Sequence, residues 1–170
     1  AFIDSLKKTI DSNGGITSNV KVTIASNHKM AFEAIMALAD TRLENSTLIV
    51  IDPVTRVLDM SRQNPAMWGQ ELIEEVLPTL AGLTNSDNGI FVVITSEVRQ
   101  LSQDGNSPIH HRVIRRWSNK EYLVRRTPVG KQSEIVRIGD DVERIVGRLT
   151  LLEDGTVDLS VEVTIEGGVE

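Results

Sequence analysis

Leu48-Ile49-Val50-Ile51-Asp52 is the stretch of this 170-residue chain where residue type and spacing point most directly to chemistry: four apolar residues deliver one carboxylate, and Pro53-Val54-Thr55-Arg56 follow. A central parallel strand reads as such an apolar run buried on both faces, and ligands of α/β sheets bind beyond the carboxyl ends of the strands. A carboxylate there can hold Mg²⁺, but magnesium ordinarily completes its octahedral shell with phosphate oxygens and water. The sequence contains no G-x-x-x-x-G-K-[ST] motif, so it lacks the backbone cradle and lysine that grip a triphosphate. Gly130-Lys131 is its only Gly-Lys pair, and Arg125 stands where the first glycine would be needed. Asp52 is expected chiefly as a structural residue hydrogen-bonded at the sheet edge, and only as a weak ligand for Mg²⁺.

The other reactive residue types form no strong constellation. His110 and His111 are adjacent, so on a strand they point to opposite faces, and neither they nor His28 have an acidic or cysteine partner at ligand spacing. Ser5, Ser96 and Ser133 lack a Gly-x-Ser-x-Gly context. Asp4, Asp52 and Glu97 could gather at one sheet edge, the one arrangement in the chain that would support acid–base work. No residue is assigned a catalytic role.

Charge is distributed unevenly. Between Arg112 and Lys131 lie Arg112, Arg115, Arg116, Lys120, Arg125, Arg126 and Lys131 against the single acid Glu121. Of the 18 basic and 24 acidic residues, 11 and 23 remain elsewhere, so a cationic island sits on a chain of net charge -6. Such an island suits an anionic partner, and Trp117 or Tyr122 could stack on a base. The competing reading is a set of solvated edge strands protected by Arg and Lys, with Trp117 and Tyr122 as packing residues. If Arg112–Trp117 is a strand, alternation puts Arg112, Ile114 and Arg116 on one side and Val113, Arg115 and Trp117 on the other.

These residues need a scaffold, and the patterning supplies one. The hydrophobic fraction of 40 % supports an ordinary core. The absence of cysteine removes disulfides and thiolate metal sites. No apolar run is long enough for a membrane span, and a cytoplasmic location is expected. Ala1-Phe2-Ile3-Asp4 suits a short strand or the start of a helix through Leu6 and Ile10; Val20, Val22 and Ile24 alternate as a strand. Ser26 or Asn27 can cap a helix running to about Glu44. Asn64-Pro65 starts another, with Pro78 expected to kink it or mark its weakened end. Gly89 to Thr95 is a second apolar run expected parallel to the Leu48 strand, giving a right-handed β-α-β-α-β unit. Gln100 to Pro108 reads as a polar loop. Arg112–Trp117, Tyr122–Thr127 and Glu134–Ile138 read as short strands of an antiparallel extension. Arg148–Glu153 and Thr156–Ile165 flank Asp154-Gly155 as a terminal hairpin, expected to turn in two residues. Its Val157, Leu159, Val161, Val163 and Ile165 share an apolar face opposite Asp158, Ser160, Glu162, Thr164 and Glu166. The expected fold is α/β, a parallel core sheet flanked by helices, with residues 1–138 as core and 139–170 as a hairpin extension on the same domain or a partner.

On these residues the chain resembles the latter part of a RecA/RadA-type recombinase ATPase core, closest to its archaeal paralogues, over roughly residues 1–138. Phe2-Ile3-Asp4-Ser5 resembles that family's acidic-tipped strand. Ser26-Asn27-His28-Lys29-Met30 resembles the polar turn before its intervening helix. Leu48 to Asp52 resembles its magnesium-site strand, and Ile94-Thr95-Ser96-Glu97-Val98 its γ-phosphate sensor segment. Arg112 to Ile138 resembles its DNA-proximal loop and final strands. The resemblance implies that Asp52 is a vestigial magnesium ligand and that Ser96 and Glu97 occupy the sensor position. It also implies that Leu6 replaces the catalytic glutamate, while Glu97 replaces the usual glutamine and would bring negative charge toward phosphate. No cofactor is then expected, Mg-ATP entering only if another segment or chain supplies the phosphate loop.

The expected function is that of a non-catalytic paralogue, accessory or regulatory in DNA recombination or repair. It would act through protein partners or self-association, and through DNA at residues 112–131, with Arg112, Arg115, Arg116, Trp117, Lys120, Arg125 and Arg126 as contacts. Two rivals are part of an ATP-dependent recombinase whose phosphate loop lies upstream, and a structural oligomerisation module.

Overall fold

A computed structural model of the chain describes residues 2–44, 46–54, 72–85, 89–96, 98–102, 105–108, 111–128, 130–139 and 142–161. The chain divides into two compact units, one of Thr23–Asn119 and one of Ala1–Val22 with Lys120–Glu170. The architecture is mixed α/β, with a parallel pair of strands in the first unit and a four-stranded antiparallel sheet in the second.

In the first unit, helix α2 (His28–Ala39) starts where Asn27 accepts a hydrogen bond from the Met30 N–H at 2.9 Å, an N-cap worth about 1 kcal/mol. It buries Ala31 and Ile35, one turn apart. Strand β1 (Leu48–Ile51) runs parallel to β2 (Phe91–Ile94), in register from Leu48 opposite Phe91 to Ile51 opposite Ile94. Between them lie a wide π-helical turn (Leu72–Val76) and helix α3 (Leu77–Thr84). Pro78 sits at that junction. Its ring cannot donate a hydrogen bond and crowds the carbonyl four residues back, so the turn before it is wound wider. The helix start expected at Asn64-Pro65 lies outside the described residues. Beyond β2, strands β3 (Val98–Ser102) and β4 (Gly105–Pro108) pair antiparallel, so the segment expected as a polar loop contains a short two-stranded ladder. The helices meet over a cluster of Ile35, Val54, Val76, Leu77 and Leu80, against which Ile51, Val92 and Ile94 pack from the strands.

Among the described residues the strands are covered on one face only. Ile49, Ile51, Val92 and Ile94 are half-buried, whereas Leu48, Val50, Phe91 and Val93 are 61, 57, 65 and 47 % exposed. Burial on both faces, expected from the unbroken apolar runs, is not what these two strands show: the helices that cluster over them occupy one side.

The segment Arg112–Trp117 is not a strand. Helix α4 (His111–Trp117) occupies it, and the reason is packing: the adjacent residues Val113 and Ile114 both contact the core cluster. Neighbours on a strand face opposite ways, whereas on a helix they lie about 100° apart and can share a core.

In the second unit, α1 (Phe2–Ser12) takes up the residues read as an acidic-tipped strand, because Ile3, Leu6 and Ile10 recur at helical spacing and are half-buried together. The strand expected at Val20–Ile24 does not form. A 3-10 turn (Thr17–Asn19) precedes it, Val20 is extended, and no strand among the described residues pairs with it, leaving Val20, Val22 and Ile24 exposed.

Strands β5 (Glu121–Arg126), β6 (Gln132–Ile138), β7 (Glu143–Leu151) and β8 (Val157–Val161) form the antiparallel sheet in that order. A bulge in β7 leaves Val146 without a counterpart, since Ile135 pairs with Gly147 and Val136 with Ile145. Val136 is fully buried. Leu159 on the expected apolar face of β8 is half exposed, and residues 162–170 lie outside the description.

The β7–β8 turn is longer than the Asp-Gly signal implies. Leu152 N–H donates to Thr156 O at 2.9 Å, leaving three residues in the loop. A two-residue type I′ turn needs positive φ at both centres, but only Gly155 has it, at 83°. Asp154 accepts from the Thr156 N–H at 2.9 Å and Oγ1 at 2.7 Å, closing the loop from the side. Those bonds hold its carboxyl below the ordinary value, the backbone bond contributing most. Ser5 Oγ on α1 donates to Gly155 O at 2.6 Å and ties the helix to this turn.

Two outcomes are expected. Leu77→Ala removes a fully buried side chain from the first unit's core and should cost about 2–5 kcal/mol in urea denaturation. Asp154 has a depressed folded pKa, so its contribution is present above its unfolded pKa and lost as pH falls through the folded value. Asp154→Ala should therefore melt lower than wild type at neutral pH, the two curves converging in acid; a constant gap across pH would refute the linkage.

Candidate functional site

Asp52 follows the last residue of β1, where the two parallel strands end together. Thr95, just past β2, holds that end by three hydrogen bonds. Its N–H donates to Ile51 O at 3.0 Å, its carbonyl accepts from Val54 N–H at 2.9 Å, and its Oγ1 donates to Asp52 Oδ1. The Asp52 carboxylate is exposed and engaged by a neutral hydroxyl. Thr95 is thus a site residue that sequence reading passed over in favour of its neighbours; the signal was a β-branched hydroxyl at the same strand-end level as Asp52. Ser96 is half-buried one residue further on, and Glu97 lies outside the described residues. Asp4 belongs to α1 in the other unit, and with Glu97 outside the described residues the grouping expected of Asp4, Asp52 and Glu97 is not described. Among the described residues no group of three His, Cys, Asp or Glu side chains has the arrangement to hold a metal.

The helical form of Arg112–Trp117 reorganises the basic residues. Spacings of three and four put Arg112, Arg115 and Arg116 on one exposed face, with Val113 and Ile114 turned to the core. The strand reading had split these arginines between two sides. Trp117, at the end of α4, is 43 % exposed. Arg115 and Arg116 also lie in the helix's last turn, where positive charge complements the helix dipole.

The division between the units falls inside the basic run, after Asn119. Lys120 precedes β5 and is exposed. Arg125 is already engaged: its Nε and Nη1 lie 3.2 Å from Glu134 and Glu143. Arg148 approaches the other Glu134 oxygen at 3.8 Å, so these four residues form one ion-pair network. Arg126, the next residue, lies on the opposite face of β5 and is exposed. The register places Tyr122 opposite Arg137, and Arg137 opposite Arg144, on that same face. Arg137 and Arg144 lie outside the basic run in sequence, and strand pairing alone brings them alongside Tyr122.

No protein-family model matches the chain, and no curated protein matches it significantly. No helix among the described residues is long and apolar enough to cross a membrane.

Thr95→Val keeps side-chain shape and removes the hydroxyl donor. It should lower stability by about 1 kcal/mol, and Asp52→Ala should lower it similarly, with the double variant costing no more than the larger single change. Additive losses in denaturant titrations would show that the two side chains act independently.

Proposed function

We propose that this chain is a non-hydrolysing RecA/RadA-like accessory protein of DNA recombination or repair, acting through protein partners and through DNA at the arginine face of α4. The observation that carries the reading is the parallel β1–β2 pair ending at Asp52, the position where such ATPases keep a magnesium ligand, here hydrogen-bonded to Thr95. Phosphoryl transfer depends on positioning and charge neutralisation. The sequence has no phosphate-loop motif to provide either. Two features of the resemblance require revision under this reading: Phe2–Ser5 belongs to a helix, and Leu6 is a half-buried packing residue of it rather than a substituted catalytic position.

One observation favours a second reading, that the parallel sheet is part of a larger ATPase assembly. The outer face of β1–β2 is apolar and exposed, and the alternating segment Val20–Ile24, extended at Val20, pairs with no strand among the described residues. A parallel sheet is ordinarily covered on both faces. A reading frame preceding Ala1 that encodes a glycine-rich loop ending in Lys-Thr or Lys-Ser would favour this second reading.

The first reading expects no ATP turnover by the purified chain in the presence of Mg²⁺. It also expects Arg115→Ala with Arg116→Ala to weaken binding to duplex DNA, the slope of log affinity against log salt falling by up to about 1.8 for two lost phosphate contacts. Magnesium-dependent hydrolysis would refute the first expectation, and unchanged affinity and slope the second.

A further inference from the structure

We propose that the face of the four-stranded sheet bearing Tyr122, Arg126 and Arg137 is a platform for single-stranded nucleic acid. It uses residues distinct from the α4 arginines and needs no ATPase ancestry, so either proposal can fail alone.

Strand register makes this sheet electrostatically two-sided. On one face stand Arg125 and Arg148 with Glu121, Glu134, Glu143 and Asp158, and the ion-pair network is there. The other face receives Tyr122, Val124 and Arg126 from β5, Ser133, Ile135 and Arg137 from β6, and Arg144 from β7, with apolar residues of β7 and β8 such as Leu149 and Leu159 toward its far edge. No acidic residue of the four strands lies on it. Positive charge on this side is therefore concentrated where the sheet's own carboxylates cannot approach within their strands.

The same face carries what a base needs. Tyr122 is 50 % exposed and directly opposite Arg137, which is exposed. A base can stack on the phenol ring while its phosphate meets the guanidinium one strand away, about 5 Å across the ladder. Arg126, four residues along β5, is about 13 Å from Tyr122 and can take a second phosphate a few nucleotides on. Between them Val124 and Ile135 offer apolar surface to a sugar or base edge. A four-stranded sheet presenting an exposed aromatic is a physically sound platform for unstacked bases. A duplex keeps its bases stacked on one another and cannot use Tyr122. DNA and RNA single strands share this chemistry, and the 2′-hydroxyl is what separates them.

The test uses the full chain and fluorescence anisotropy with labelled oligodeoxyuridylate and oligouridylate of about 15 nucleotides, near the upper site size of sheet-based single-strand binders, alongside a duplex of equal length. Single strands should bind more tightly than duplex. Tyr122→Ala should weaken single-strand binding roughly tenfold, a loss within the range for one stacked base, whereas Tyr122→Phe should retain it. Arg126→Ala with Arg137→Ala should reduce the salt slope by about 1.4. Arg148→Ala, a single charge loss on the opposite face, should leave binding unchanged, and matched thermal melts would establish that the exposed substitutions leave the fold intact. Preference between the two oligonucleotides would assign the sugar, and equal binding would assign the shared base-and-phosphate chemistry. The proposal is overturned if duplex binds as well as single strands, if Tyr122→Ala binds like wild type, or if Arg148→Ala is as damaging as the paired arginine change. It is equally overturned if Val124→Asp abolishes self-association while leaving oligonucleotide affinity intact, since the face would then belong to protein contact.

Discussion

Thr95 organises the first unit because one residue closes the parallel ladder and restrains Asp52 at its end. The backbone bonds from Thr95 to Ile51 and from Val54 to Thr95 bracket Asp52-Pro53. That bracket brings Val54 from an exposed strand end into full burial beside Leu77 and Val76. The hydroxyl of the same threonine occupies one oxygen of Asp52. Core packing and the state of the candidate ligand are thus coupled through a single residue, by its backbone on one hand and its hydroxyl on the other. A carboxylate restrained by a neutral donor beside an apolar cluster is arranged as a structural element, and its magnesium chemistry would depend on phosphate oxygens brought by something else.

The two sheets solve the problem of surface in opposite ways. In the parallel pair the apolar residues alternate between a face that meets helices and a face that meets none among the described residues. In the antiparallel sheet the alternation sorts charge instead of hydrophobicity. Register sets Arg125 and Arg148 beside Glu134 on one side with the other acids of the four strands, and the remaining arginines of these strands share the other side with Tyr122. Exposed ion pairs contribute little to stability, typically below about 1 kcal/mol each. Strand alternation, not this pairing, keeps the acids of the four described strands off the other side, which is a condition for binding an anion there.

Much of the element order could be read from patterning, and the departures have definite physical causes. The parallel pairing of Leu48–Ile51 with Phe91–Ile94, the Asn27 cap and the antiparallel strands after Lys120 follow from apolar runs, a capping residue and turn residues, all of which act locally. Arg112–Trp117 was ambiguous because six residues fit both periods; the choice was made by Val113 and Ile114 both reaching the core. Val20–Ile24 had the alternation of a strand, but alternation specifies only which side chains share a face, and a strand exists when another backbone takes its hydrogen bonds. The Asp154-Gly155 turn was legible as a turn but not in length, because only Gly155 takes positive φ and Asp154 spends its carboxylate on Thr156.

For the candidate sites the division is similar. From sequence alone come Asp52 at the tip of an apolar strand, the missing phosphate-loop motif and the cluster of cations between Arg112 and Lys131. Only tertiary structure decided that Thr95 would hold Asp52, that Arg112, Arg115 and Arg116 would share one face, and that Arg125 would be neutralised while Arg126 stayed exposed. It alone set Arg137 beside Tyr122. Residue type and local spacing are written along the chain, whereas which charges meet depends on strand register and helix packing, and these join positions that no local pattern connects.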